Sequence, residues 1–463
     1  MKKILIVAYY FPPVAASGAM RPAAFCKFLL SRGWSPRVLT TDPLTVFPPH
    51  HIDQQLSGYL RSAMQVDSVP HGQPLKRLIA WRDKIKTMLH KRLGKQSNEG
   101  GVSRNLALPN GQGGVTKIGA LKNLILDWGF EFPDPQCAWF RRAVAFARRL
   151  PQTEIPDIVF ATGGPWTSLL VGKRIAEHWG VPFIADYRDP WTSNPYCSFS
   201  SSFLNTRAGK LERSVCKTAS RVIANTSELQ IQLEEDYPCL AGKIVTITNG
   251  FDPDNFGLCE ERKPKGKVKA RLELCHFGTV YGKRRPTVLL QALADLYQTG
   301  RLKAEQFCLK FVGAWEVTEP RCEDLAQFLE KVNVLKREAP VPHEACLRQM
   351  AEADALLVIQ PDSPLQIPGK IYEYIAARRP LLLVGGEGAT ANLVRRHGLG
   401  MVCSNNEGSI VQMLLDLIEG RQQLPRLSPH EVDRFSYRRL TDDLVRLLEE
   451  VNAERLLNKA MGH

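Results

Sequence analysis

Twice along this chain, short β-branched apolar runs alternate with helical stretches, and that rhythm constrains the fold more than any other feature. In the first series Ile4 to Tyr10 reads as a strand, Met20 to Arg32 as a helix and Ser35 to Thr40 as a second strand. Ile158 to Ala161 is a strand, Trp166 to Trp179 a helix and Phe183 to Asp186 a strand, with further strands at Arg221 to Ala224 and Ile244 to Thr248. The second series runs strand Leu272 to Phe277, helix Thr287 to Gln298 and strand Cys308 to Val312. It continues with helix His343 to Ala353, strand Ala355 to Ile359, helix Ile371 to Arg378 and strand Leu381 to Val384. Continuous apolar runs with helical crossovers imply parallel strands covered on both faces. Two series imply two doubly wound α/β domains joined near Asn249 to Asp254, which suits 463 residues.

Between about residues 45 and 150 the rhythm is lost. This insertion carries a basic stretch, in which Lys76, Arg77, Arg82, Lys84, Lys86, Lys91, Arg92 and Lys95 stand against Asp83 alone. Leu78, Ile79, Trp81, Ile85, Met88 and Leu89 lie among these cations, a mixture able to rest in a lipid headgroup region or to pack on the first domain. Gln96 to Gly114 is rich in Gly, Asn and Ser and reads as a loop. Leu440 to Leu457 reads as an amphipathic helix.

The formal net charge is +14 and the pI about 9.3, so an anionic partner is expected: nucleic acid, an acidic membrane surface or a phosphorylated substrate. The eleven cysteines form no C-x-x-C pair, which argues against a zinc site or a disulfide framework and for a reducing compartment. Lys2 and Lys3 before Ile4 to Tyr10 mimic a signal peptide. That run is short, β-branched and stopped by Pro12 and Pro13, so a first buried strand is the expectation. No stretch approaches the roughly 18 apolar residues of a spanning helix.

Four segments at strand ends carry chemistry. Phe11 to Ala19 leads from the first strand into a helix and includes Gly18, but it lacks the G-x-G-x-x-G dinucleotide fingerprint. Asp186-Tyr187-Arg188-Asp189-Pro190-Trp191 is a dense group of acid, cation and acid, serving either substrate or an internal salt bridge. Gly278-Thr279-Val280-Tyr281-Gly282-Lys283-Arg284-Arg285 sets cations in a Gly-flanked loop, a composition that suits a diphosphate or a solvated basic loop. Pro368-Gly369-Lys370-Ile371-Tyr372-Glu373-Tyr374 opens a helix whose free N–H groups favour anions; Glu373 either accepts from a ribose diol or merely complements the helix dipole.

Tyr10-Phe11-Pro12-Pro13, the Asp186 to Trp191 segment, Asn249-Gly250-Phe251-Asp252, Phe277-Gly278-Thr279 and Pro368 to Tyr374 together resemble, in order, glycosyltransferase family 4. The likeness is to its bacterial surface-polysaccharide members and runs from Ile4 to about Leu448, the insertion apart. The resemblance implies a GT-B fold, in which two Rossmann-like doubly wound domains face each other across a cleft. An acceptor-side domain is expected at 1–250, a donor domain at 251–436, and a helix at 437–463 returning to the first domain. It further implies that Lys283 or Arg284 binds the diphosphate of a UDP- or GDP-sugar, with the backbone at Gly369 and Lys370 capping it and Glu373 on the ribose. Gly278 and Thr279 would line the same donor site, while Gly18, Asp186, Arg188 and Asp189 would face the cleft from the first domain, Arg188 and Asp189 acting in catalysis. In three places the chain departs from the family pattern. Leu365 stands where an E-x7-E motif has its first acid, Arg188 replaces the usual His, and Thr279 follows Gly278 where Arg is common.

The implied reaction is retaining sugar transfer without a metal or other cofactor, to a glycan or lipid-linked acceptor of the cell envelope. The enzyme would work in the cytoplasm or at the inner face of the membrane. A nucleotide-sugar epimerase of the same fold and a catalytically idle nucleotide-sugar-binding protein are the alternatives. A nucleic-acid partner would use the charge but leaves the donor motifs unexplained, so none is expected.

Overall fold

The computed structural model describes residues 1–46, 51–59, 64–72, 132–194, 201–256, 271–360 and 363–461. Seven of the described strands form one parallel sheet: β1 (Lys2–Val7), β2 (Trp34–Asp42), β3 (Gln65–Pro70), β4 (Ile158–Gly163), β5 (Phe183–Tyr187), β6 (Arg221–Ala224) and β7 (Ile244–Thr246). Their order is β3-β2-β1-β4-β5-β6-β7, with Leu5 opposite Arg37 on one side and Val159 on the other. The second half supplies β8 (Leu272–Phe277), β9 (Val280–Tyr281), β10 (Phe307–Val312), β11 (Trp315–Glu316), β12 (Leu335–Glu338), β13 (Ala355–Gln360), β14 (Leu381–Gly385) and β15 (Gly400–Cys403). Six of these make a parallel sheet in the order β12-β10-β8-β13-β14-β15, while β9 and β11 pair separately. This is the doubly wound arrangement expected in each half.

The pleat explains why the strands read so clearly. Alternate residues of β1 enter opposite cores, Leu5 and Val7 on one face and Ile4 and Ile6 on the other, all nearly inaccessible to solvent. Leu274 and Cys275 of β8 divide in the same way. Both faces are covered by helices, so the strands need no polar alternation.

In each sheet the chain winds outward one way, returns to the middle and winds outward the other way. The reversals fall between β1 and β4 in the first sheet and between β8 and β13 in the second. At such a switch the adjacent loops part beyond the strands' carboxyl ends and leave a crevice. The two crevices share one cavity, described below.

The helix Tyr437–Ala460 begins at Ser436, whose hydroxyl accepts from the Arg439 N–H at 3.2 Å. Its buried Leu440, Leu444, Leu447, Leu448 and Val451 repeat at helical spacing and pack with Phe25 and Trp34 in the core of the first sheet. At its start the Tyr437 N–H donates to the Phe251 carbonyl at 2.8 Å, and the Phe251 N–H donates to the Phe435 carbonyl at 3.1 Å. The two chain crossings between the halves therefore lie side by side.

One expectation needs correcting. The region from 45 to 150 is not wholly without rhythm, since β3 and the helix Phe140–Ala147 lie within it. β3 is an edge strand, with only Val69 buried among Gln65, Asp67, Ser68 and Pro70, and so leaves no apolar run to detect. The basic stretch around residues 75–95 and the loop 96–114 lie outside the described residues. Among the described residues no helix is long and apolar enough to cross a membrane.

Candidate active site

A cavity of about 560 Å³ opens between the two sheets. From the first half it is lined by Ser17 and Met20 after β1 and by Arg188 and Asp189 after β5. From the second half come Gly278, Thr279, Tyr281 and Arg284 after β8, and Gln366 to Lys370 with Glu373 after β13. The crossing segment Asn249 to Asp252 forms one wall. Both switch points thus feed one chamber.

Arg188 is 9% exposed and is held in place by backbone. Its Nε donates to the carbonyl of Gly163, the last residue of β4, at 2.8 Å and its Nη2 to that of Gly164, the next residue. Gly18 does not line the cavity. A Cβ there would collide with the Arg188 guanidinium, so this glycine makes the room that the arginine occupies. Asp189 Oδ1 accepts from Gln366 Nε2 at 2.7 Å, joining the two halves across the cavity. Burial pushes the Asp189 carboxyl above its ordinary range, with the Arg188 charge and the Gln366 bond opposing.

Asp186, expected to touch substrate, sits elsewhere. It is fully buried, paired with Arg21 through bonds of 2.7 and 3.0 Å, and accepts from the Thr162 hydroxyl at 2.7 Å. Arg21 also donates to the carbonyls of Ile247 at 2.9 Å and Thr248 at 2.5 Å. The Asp186–Arg21 pair therefore ties β5 to the crossing segment and leaves the cavity to Arg188 and Asp189.

In the second half, Gly278 has φ of +106° and lets the chain turn sharply out of β8, leaving Thr279 exposed at the cavity. Arg284 lines the cavity with its guanidinium 5.8 Å from the Tyr281 ring, whereas Arg285 faces away to Glu319 at 3.1 Å. Lys283 belongs to the short turn Gly282–Arg284; its side chain lies outside the described residues. Gly369 caps the helix Lys370–Ala376, and Lys370 and Glu373 both reach the cavity. Glu373 is half-buried with His343 Nε2 at 3.8 Å; burial raises its carboxyl pKa and His343 opposes. The Leu365 carbonyl accepts from Thr226 Oγ1 at 2.8 Å, another contact between the halves, and the next residue, Gln366, reaches Asp189.

Sequence reasoning missed His276. This buried ring at the end of β8 stands with Nδ1 3.0 Å from the Leu357 carbonyl and Nε2 2.9 Å from Lys370 Nζ. A carbonyl only accepts, so Nδ1 carries the proton and Nε2 is the acceptor. Burial first and Lys370 second hold the imidazole pKa well below its ordinary value, so it is neutral. Burial, with Arg284 adding to it, lowers the Lys370 ammonium to about 7. The only trace of this pair in the sequence is a polar residue inside an apolar strand. Such a residue is more often a satisfied core histidine.

The cavity brings Arg188, Arg284 and Lys370 together with two carboxylates, Asp189 and Glu373, between two doubly wound halves. Known proteins resemble this chain in sequence or in fold. A family model described as Glycosyltransferase Family 4 matches residues 121–255. D-inositol 3-phosphate glycosyltransferase of Nocardiopsis dassonvillei is 25% identical over 312 residues, 64% of this chain and 71% of that protein. Among solved structures, Anabaena HepE in complex with UDP and glucose superposes with a TM-score of 0.60 at 15% identity, covering 97% of this chain and all of that one. Sucrose-phosphate synthase of Thermosynechococcus elongatus gives a TM-score of 0.62 at 12% identity over 98% of this chain and all of that one. The protein is a glycosyltransferase of GT-B fold. Its likeness to glycosyltransferase family 4 is carried by the matched residues 121–255.

Proposed function

We propose that this enzyme moves a sugar from a nucleotide-diphosphate sugar, UDP- or GDP-linked, onto a glycan or lipid-linked acceptor, with retention of configuration. The second unit, 251–436, holds the donor, and the first, 1–250, presents the acceptor. The observation that carries this reading is the convergence of Arg284 and Lys370 with Glu373 at the switch point of the second sheet, facing Arg188 and Asp189 of the first. HepE, whose fold this chain shares, was solved with UDP and with UDP-glucose.

As the bond from sugar to phosphate breaks, negative charge grows on the diphosphate. Arg284, Lys370 and, by the resemblance, Lys283 meet that charge, so their effect is largest in the transition state. Glu373 takes the ribose diol. Arg188 and Asp189 face the sugar and the incoming hydroxyl, and their fixed geometry holds that hydroxyl on the face of the sugar that the phosphate leaves, as retention requires. Contact between the halves, through Gln366 and Asp189, excludes water and favours transfer over hydrolysis. No cofactor or metal is assigned a role. The charge of +14 supports work at an anionic membrane surface on the cytoplasmic side.

The test is sugar transfer and sugar release assayed with a panel of UDP- and GDP-sugars. Transfer from one donor supports the proposal. Turnover of donor to an isomer without acceptor, or binding with no turnover, would instead favour an epimerase or a binding protein.

A further inference from the structure

Lys370 and His276 form a contact whose geometry goes beyond holding an anion. Lys370 Nζ donates to two fixed acceptors inside the protein, His276 Nε2 at 2.9 Å and the Phe277 carbonyl at 3.3 Å. His276 is itself locked by the Leu357 carbonyl at 3.0 Å, so its Nε2 lone pair has one direction. A lysine nitrogen bears three substituents besides its carbon. Two N–H bonds satisfy the two protein acceptors, and the third position is an N–H if the amine is charged or a lone pair if it is neutral. Lys370 lines the cavity, so that third position belongs to whatever fills it.

We propose that in mildly alkaline solution Lys370 is a neutral amine in the empty enzyme and takes a proton from solvent at its third position when the diphosphate enters, with His276 as the positioning residue that aims it. The proposal rests on the donor-site reading above. A proton adds to the nitrogen lone pair and becomes the N–H that the phosphate oxygen accepts; no other bond changes.

The surroundings favour this. Burial and the Arg284 guanidinium disfavour a cation in the empty cavity, and the Lys370 pKa of about 7 follows from them. His276 is neutral and contributes no compensating charge. Two further titratable groups are near, the Cys346 thiol on the helix His343–Glu352, which acts on Lys370, and Glu373, which lines the same cavity from Lys370's own helix. Burial pushes the thiol up to about 12, so it is protonated, and Glu373 is engaged with His343. An arriving dianion reverses the balance, because it lies against the amine with water excluded. Donor affinity then falls about tenfold per pH unit above the free-enzyme value near 7, until the bound-state value is reached. The phosphate's own titration, near pH 6, lies below that window.

The experiment is calorimetric titration of the full-length enzyme with UDP at about pH 8, in two buffers of different ionisation enthalpy, with uridine as a control lacking phosphate. The expected result is uptake of about one proton per UDP bound, none with uridine, and none in Lys370→Met or in the permanently charged Lys370→Arg. UDP heats that are the same in both buffers overturn the proton uptake and leave the donor site standing. Uptake that persists in either variant assigns the proton to another group and overturns the role of Lys370. GDP replaces UDP if UDP does not bind; if wild-type enzyme binds neither, the donor-site reading fails and this proposal with it.

Discussion

Gln366 Nε2 lies 2.7 Å from Asp189 Oδ1, a hydrogen bond between residues 177 apart in sequence that spans the cavity between the two sheets. It joins the loop after β13 to the loop after β5, so the halves are in contact where the reacting groups would lie. A hydrogen bond to a charged group contributes about 1.5–3 kcal/mol when buried. Replacing Gln366 by Leu is expected to lower kcat/KM by roughly tenfold or more. The donated bond also lowers the Asp189 pKa, against the upward push of burial. Without it Asp189 stays protonated to higher pH, so the acid limb of the pH–rate profile should move toward neutrality. An acid limb that stays in place in the Gln366→Leu enzyme would show that Asp189 does not control it.

Two carboxylates three residues apart are expected to behave oppositely. Asp186 is fully buried against Arg21, and its removal leaves an uncompensated charge inside the protein. Asp186→Ala should cost about 3–5 kcal/mol of stability, read as an earlier urea midpoint with unchanged slope. Asp189→Asn keeps its shape and its bond to the Gln366 amide, so it should abolish most turnover with little loss of stability. If urea unfolding ranks the two variants the other way, their roles have been exchanged.

The parts of the molecule that were legible in the sequence are those in which local composition settles the outcome. Arg221–Ala224, Leu272–Phe277 and Thr287–Gln298 begin and end where the apolar pattern predicts, because these strands and this helix are buried by their own side chains. β1 ends at Val7, short of the apolar run to Tyr10, because Tyr9 turns to pack edge-on against Trp139 at 5.4 Å. β3 carries too little apolar surface to be seen. In the site, the glycines and cations that stand out past the strand ends lie on loops that line the cavity. Their division of labour was hidden, because it depends on distant partners. Arg21, 165 residues before Asp186, removes that acid from the cavity. Glycine at position 18 reads as a turn, yet the side chain it accommodates is Arg188.

That accommodation makes Gly18→Ala informative. The added methyl would meet only the far end of the Arg188 side chain, but moving that end gives up its bonds to two backbone carbonyls, so stability should fall by about 1–3 kcal/mol, short of unfolding the enzyme. The guanidinium would leave its bonds to Gly163 and Gly164, and turnover should fall at least about tenfold, since a misplacement of about 1 Å at a reacting centre can cost far more. Thermal unfolding together with single-turnover rates checks this. Full activity in a stable Gly18→Ala enzyme would mean that the position of Arg188 does not matter to the chemistry.

The last contrast lies within the donor half. Arg284 and Glu373 line the same cavity but should fail in different ways. Arg284 meets charge that develops as the diphosphate departs, so Arg284→Ala should depress kcat more than it weakens UDP affinity. Its removal also withdraws a neighbouring cation that lowers the Lys370 pKa, so Lys370 should stay protonated to higher pH in that variant. Glu373 is assigned to the ribose, a part of the donor that does not change during transfer. Glu373→Ala should therefore weaken UDP binding by about 1–3 kcal/mol and raise KM by a matching factor, with kcat nearly preserved. Calorimetric UDP affinities set beside steady-state constants separate the two patterns. Equal losses of kcat and of affinity in both variants would mean that the two side chains act as one structural unit, and the assignment of separate roles would fall.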